Sequence, residues 1–149
     1  MFSKINHLPI DCLPLTAAPG LRITHRNLSC IKTLNRVYYR IDRWKNWMDA
    51  LTYCRNHCTD LISIRNQQEY NATFPLFVGN TSTWIGLYSD KKSSAGWSWA
   101  NGDKFRYSQW RDKMVPKSGR LNCVVVKSMQ SRSPNNPHLS YDSFNNCLK

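Results

Sequence analysis

The sequence predicts a single α+β domain, short helices packed on antiparallel strands, and three stretches carry that prediction. Trp84-Ile85-Gly86-Leu87-Tyr88 is β-branched and aromatic with one glycine, the composition of a strand buried on both faces. The glycine marks the close approach of another backbone. Trp97-Ser98-Trp99-Ala100-Asn101-Gly102 alternates aromatic and small residues and ends in Asn-Gly, a strong hairpin signal. Trp47, Ala50, Leu51 and Cys54 recur on one face at helical spacing and define a helix running to about His57. Trp110 closes the aromatic unit, so that four tryptophans fall within 27 residues and read as a knot of core side chains.

The remaining elements follow in order. Residues 1 to 29 contain Pro9, Pro14, Pro19 and Gly20 without apolar periodicity, and read as an extended, poorly ordered leader or linker that Cys12 can tether. The domain proper is placed at 30–149. Val37 to Ile41 is a strand by β-branched and aromatic content, and Asp42 or Asn46 caps the first helix. Thr59 to Ile64 forms a turn and a short strand. Asn66 with Glu69 three residues on is a capping-box-like start for a second short helix, which Pro75 ends near Thr73 or Phe74. Lys91 to Gly96 is a polar loop, Arg111 to Arg120 a basic one, and Cys123 to Val126 a buried strand. Ser128 to Ser140, with Pro134 and Pro137, reads as loop.

At 149 residues the chain suffices for one domain with a real core. No run approaches the roughly 18 apolar residues of a membrane helix, and no clean signal-peptide pattern opens the chain. Six cysteines and three Asn-x-Ser/Thr sequons, at Asn27, Asn71 and Asn80, nonetheless point to an oxidising, glycosylating compartment. A secreted or cell-surface ectodomain is expected. The missing signal is consistent with a fragment or a misassigned first exon, and leaves room for a membrane attachment elsewhere. The formal charge of +12 favours anionic partners, although no nucleic-acid-binding motif accompanies it. Enzymatic motifs are also missing: the four histidines are scattered, and neither a nucleophile elbow, a zinc-protease motif nor a phosphate loop is present. Cys54, His57 and Cys58 offer three ligands within five residues but no second cluster, a poor zinc site.

Taken together, Trp84-Ile85-Gly86-Leu87, Trp97-x-Trp99-x-x-Gly102 and Trp110 resemble, in order and spacing, the signature of the C-type lectin-like domain. The phrase Tyr53-Cys54-Arg55-x-x-x-Thr59-Asp60-Leu61 is similar to another recurrent family string. The resemblance covers about Cys30 to Cys147. It implies two short helices with small antiparallel sheets, a long loop region, and an extracellular recognition function with no catalysis. It further implies a disulfide between Cys123 and Cys147. The family partner of Cys54 lies in a closing strand beyond the position of Cys147, beside the first strand, so the chain reads as truncated there and of marginal stability. Six cysteines allow fifteen complete pairings, and the partners of Cys12, Cys30, Cys54 and Cys58 stay open.

Sugar-binding members of the family hold calcium through oxygen ligands, of which the ion needs about six to eight. The corresponding positions here are Lys113-Met114-Val115-Pro116-Lys117 and Leu121, with Asp142 alone and out of register in the last-strand region. Calcium is therefore not expected as a cofactor, and no metal site is assigned. Positive charge replaces it: Lys104, Arg106, Arg111, Lys113, Lys117, Arg120, Lys127 and Arg132 face Asp112 alone. Arg111, Lys113, Lys117 and Arg120, with Tyr107 as an aromatic anchor, are the candidate ligand-binding residues for a protein or an anionic glycan. A calcium-dependent carbohydrate-binding lectin and a basic membrane-active or antimicrobial domain are the alternatives. Against the last, charge-only binding weakens steeply and unselectively with salt.

Overall fold

In chain order the elements are β1 (Leu8–Leu13), β2 (Ser29–Lys32), β3 (Val37–Lys45), α1 (Trp47–His57), β4 (Asp60–Leu61), α2 (Gln67–Thr73), a 3-10 turn (Phe74–Leu76), β5 (Ser82–Ser89), β6 (Trp97–Trp99), β7 (Asn122–Met129) and β8 (His138–Asn145). The computed structural model describes residues 8–13, 29–32, 36–77, 82–111, 116, 122–129 and 138–145.

Both helices begin where their caps dictate. The Asn46 side chain accepts from the Asp49 backbone N–H at 2.8 Å, and the Asn66 side chain accepts from that of Glu69 at 2.9 Å. In a full capping box the Glu69 carboxylate would return to the cap residue. Here it reaches one residue further and accepts the Arg65 backbone N–H at 2.8 Å, because the Arg65 guanidinium holds it there. Pro75 sits inside the 3-10 turn that ends α2.

The strands form one sheet in the order β2-β3-β1-β5-β7-β8, with β4 added to β1 and β6 to β5. The pairings are antiparallel except between β1 and β5, where Ile10 lies opposite Trp84. Two helices on this mainly antiparallel framework make the α+β fold that the sequence predicts. The stretch read as a leader supplies β1, a central strand, and the first residue of β2. It is β1 that joins two expected small sheets into one.

Strand alternation sorts the core onto two faces. Ile85, Leu87, Trp97, Trp99, Val124 and Val126 lie on one, with Trp110, Tyr141, Tyr70 and Phe77. Trp84, Cys123 and Val125 lie on the other, packed with Ile41, Leu61 and the buried side of α1 (Trp47, Ala50, Leu51, Cys54). The tryptophan knot is thus divided: β5 turns Trp84 away from the other three. Its indole N–H donates to the Lys45 carbonyl at 2.9 Å, while that of Trp47 ties α1 to the Ile85 carbonyl at 2.8 Å.

Gly86 behaves as its place in an aromatic strand implies. Its N–H donates to the Ile62 carbonyl at 2.8 Å, and a Cβ there would stand 3.1 Å from that oxygen. The Asn101-Gly102 pair departs from the simplest reading. The β5–β6 hairpin turns at Asp90–Gly96, where Gly96 takes φ 74°, and Asn101-Gly102 closes a second turn after β6. Gly102, at φ 85°, donates to the Trp99 carbonyl at 3.0 Å. The dipeptide marks a turn correctly, but β5 had already paired with β6, so the chain beyond it runs on without joining a ladder until Trp110 bridges Tyr141.

Candidate functional site

Residues 103–109 run beside the loop between β4 and α2. Two sets of bonds pin this run. At its start, the Asp103 carboxylate accepts from Arg36 at 2.8 Å, from the Ser63 hydroxyl at 2.5 Å and from the Asn101 amide at 3.0 Å. At its end, the Tyr107 hydroxyl donates to the Gln67 side-chain carbonyl at 2.8 Å and accepts from the Gln109 amide at 2.7 Å. Between them the residues alternate, with Lys104 and Arg106 exposed and Phe105 half-buried against the core.

Tyr107 is accordingly not a free aromatic anchor. It is half-buried, its ring 6.0 Å from that of Tyr70. Burial raises its phenol above the ordinary tyrosine range despite the opposing hydrogen bond from Gln109. Arg111 is exposed and its guanidinium stands 4.0 Å from Asp142, while its backbone N–H donates to the Tyr141 carbonyl at 3.3 Å. Lys113, Lys117 and Arg120 lie outside the described residues. Pro116 is described, and the Trp97 indole N–H donates to its carbonyl at 3.1 Å.

Asp103 shows how its pocket governs charge. Partial burial alone would raise its carboxyl, but the hydrogen bonds from Arg36, Ser63 and Asn101 prevail and hold it below the ordinary aspartate range. A depressed folded value means a stabilising contribution that is complete above the unfolded aspartate value, about 3.9, and is lost as pH falls through the folded value. Thermal melts from pH 6 down to pH 2 are expected to show this acid-sensitive component, and Asp103→Asn to lack it. Equal acid sensitivity in both proteins would contradict the assignment.

The three cysteines whose side chains are described all lie in the part of the core packed with α1. Cys54 and Cys123 are buried and disulfide-bonded, and Cys58 is a buried free thiol. Cys147, which the family resemblance implies as the partner of Cys123, lies outside the described residues, as do the side chains of Cys12 and Cys30. Burial pushes the Cys58 thiol up to about 11, so it is mostly protonated at neutral pH. The imagined zinc set dissolves: Cys54 is bonded elsewhere, and the His57 ring stacks on Tyr53 at 4.2 Å. Among the described residues no group of three or more His, Cys, Asp or Glu could hold a metal ion.

Sequence reasoning missed Arg65 and the Arg36–Ser63–Asn101–Asp103 network. Arg36 and Ser63 carry no local signal, since each finds its partners across the chain. Asn101 was visible only as turn chemistry in the Asn-Gly pair, and Asp103 was not singled out.

Helices capped by Asn46 and Asn66, a sheet centred on Trp84–Leu87 and a Trp97 indole bonded to the Pro116 carbonyl define the class, an α+β domain. The Lectin C-type domain family profile matches residues 43–142, and the chain belongs to that family. It is similar to lymphocyte antigen 75 of Mesocricetus auratus, 32% identical over 101 residues, which is 67% of this chain and 6% of that protein. It is also similar to C-type lectin domain family 2 member G of Mus musculus, 25% identical over 118 residues, covering 76% of this chain and 41% of the relative. P-selectin of Mus musculus is 28% identical over 96 residues, 60% of this chain and 12% of that protein. The chain therefore spans less than half the length of each of these relatives. No solved structure matches it significantly. No helix among the described residues is long and apolar enough to cross a membrane.

Proposed function

We propose that this chain is an extracellular recognition domain that binds an anionic glycan or protein ligand without calcium and without catalysis. The observation that carries the reading is the state of Asp142. It is the carboxylate in the last-strand region, where sugar-binding family members supply ligands to the ion. Its two oxygens face the Arg111 guanidinium at 4.0 Å and the Ser143 backbone N–H at 3.0 Å. A cation beside the carboxylate disfavours a second cation there. The neighbouring positions, Lys113, Met114, Val115, Lys117 and Leu121, offer no side-chain oxygen at all. The residues present do not fit calcium. Arg111, Lys113, Lys117 and Arg120 are the ligand-binding residues of this reading, with Tyr107 in a supporting place rather than a contacting one. The likeness to lymphocyte antigen 75 and P-selectin supports a cell-surface or secreted setting.

Calcium titration by calorimetry, with thermal melts alongside, tests the reading. No heat and no rise in melting temperature are expected. A clear stabilisation by calcium would overturn it in favour of a calcium-dependent lectin. Binding that collapses with salt without distinguishing ligands of equal charge would favour the basic membrane-active alternative.

A further inference from the structure

We propose that Arg65, Lys104 and Arg106 form a docking ridge for a linear sulfated polysaccharide. This deepens the calcium-free reading above and rests on it. The ridge is built by two stretches running side by side. Ser63 is bonded to Asp103 and Gln67 to Tyr107, so residues 64–66 lie alongside residues 104–106. That alignment brings Arg65 beside the two exposed cations. Lys104 and Arg106 are two residues apart and both exposed, with the half-buried Phe105 between them, so they share the solvent side of the run.

The local acids are already engaged. Asp103 is held by Arg36, Ser63 and Asn101, and Glu69 by the side chain and backbone of Arg65, with Arg36 at 3.8 Å. Lys104 and Arg106 make no ion pair or hydrogen bond among the described residues, and the Arg65 side chain is 41% exposed. Four cations therefore stand against two carboxylates, and the free charge faces solvent. The bonds at both ends fix the spacing before any ligand arrives, which lowers the ordering cost of binding.

The chemistry favours a polysaccharide over an acidic protein. A protein interface draws its energy from apolar or aromatic anchors. On this ridge Phe105 and Tyr107 are packed against the core. Among the described residues Met48, on α1, is the sole exposed large hydrophobic side chain. What the ridge offers instead is exposed cations for sulfates.

The test is surface binding of heparin to the whole chain, in calcium and in a chelator. Three proteins are compared: the parent, Lys104→Glu/Arg106→Glu, and Lys91→Glu/Lys92→Glu. The last pair is exposed in the Asp90–Gly96 turn and serves as a control of equal charge change. The parent is expected to bind equally in both buffers. The ridge variant should lose about tenfold or more, through removal and reversal of two charge-assisted contacts, and the control should lose far less. All three should melt alike, since the substituted side chains are exposed. Equal losses in both variants, or none in the ridge variant, would overturn the ridge while leaving the calcium-free reading intact. Binding that requires calcium would overturn that reading instead. Stronger retention of poly-glutamate than of heparin would assign the ridge to an acidic protein and overturn the proposal. The absence of any heparin binding would do so as well.

Discussion

Deleting residues 1–13 is expected to abolish cooperative folding. β1 lies in the interior of the sheet, antiparallel to β3 with Ile10 opposite Ile41, Asp11 opposite Arg40 and Cys12 opposite Tyr39. It pairs with β4 at Cys12 and Leu61, and runs parallel to β5 at Ile10 and Trp84. Without it, β3 and β5 would face each other across a vacant strand position, each with a row of unpaired backbone groups. An unsatisfied buried group costs about 1–3 kcal/mol, and a domain has only about 5–15 kcal/mol in all. A few such groups suffice to unfold it. Circular dichroism of the truncated chain should show no sharp thermal transition. A sharp transition within a few degrees of the parent would show that β1 is dispensable. The family resemblance places a closing strand beside the first one, and β1 occupies that position next to β3.

That strand was the least legible part of the sequence, for a physical reason. Leu8–Leu13 contains a proline and an aspartate, and a proline inside a run argues against a central strand because it has no N–H to donate. The structure accommodates Pro9 by an irregularity of register between Leu8 and Ile10, where the ladder skips. Nothing local announces that, since the partners of β1 lie from 27 (Cys12 to Tyr39) to 74 (Ile10 to Trp84) residues away. β5, β7 and both helices were legible because their signals are local: continuous apolar runs, helical spacing, and Asn caps at 46 and 66. The division of the tryptophans was legible in principle, since Trp84 is out of phase with Ile85 and Leu87, and the register sets Leu87 opposite Trp99. The site was legible in its charge and not in its geometry. That Tyr107 is held by Gln67 depends on a pairing across 40 residues, so composition could only offer it as an exposed ring.

Trp97→Ala is expected to cost the most of any single truncation in the loop-bearing half of the core. The side chain is 1% exposed, its ring centroid lies 4.9 Å from that of Trp110, and Trp110 in turn meets Tyr141 edge-on at 5.7 Å. Removing so large a buried aromatic typically costs about 3–5 kcal/mol, because the space left behind closes only in part. At 149 residues that corresponds to a fall in melting temperature of roughly 10 °C or more. The indole does a second thing: its N–H donates to the carbonyl of Pro116, a residue of the basic stretch from Arg111 to Arg120. Trp97→Phe separates the two roles, since it keeps most of the apolar surface but cannot donate to Pro116. The phenylalanine variant should recover much of the lost stability, whereas proteolytic cleavage after Lys113, Lys117 and Arg120 should be faster than in the parent for both substitutions. A Trp97→Ala loss below about 1 kcal/mol would mean that the pocket closes around the gap. Unchanged cleavage in both variants would mean that the loop takes its position from elsewhere than the Trp97 indole.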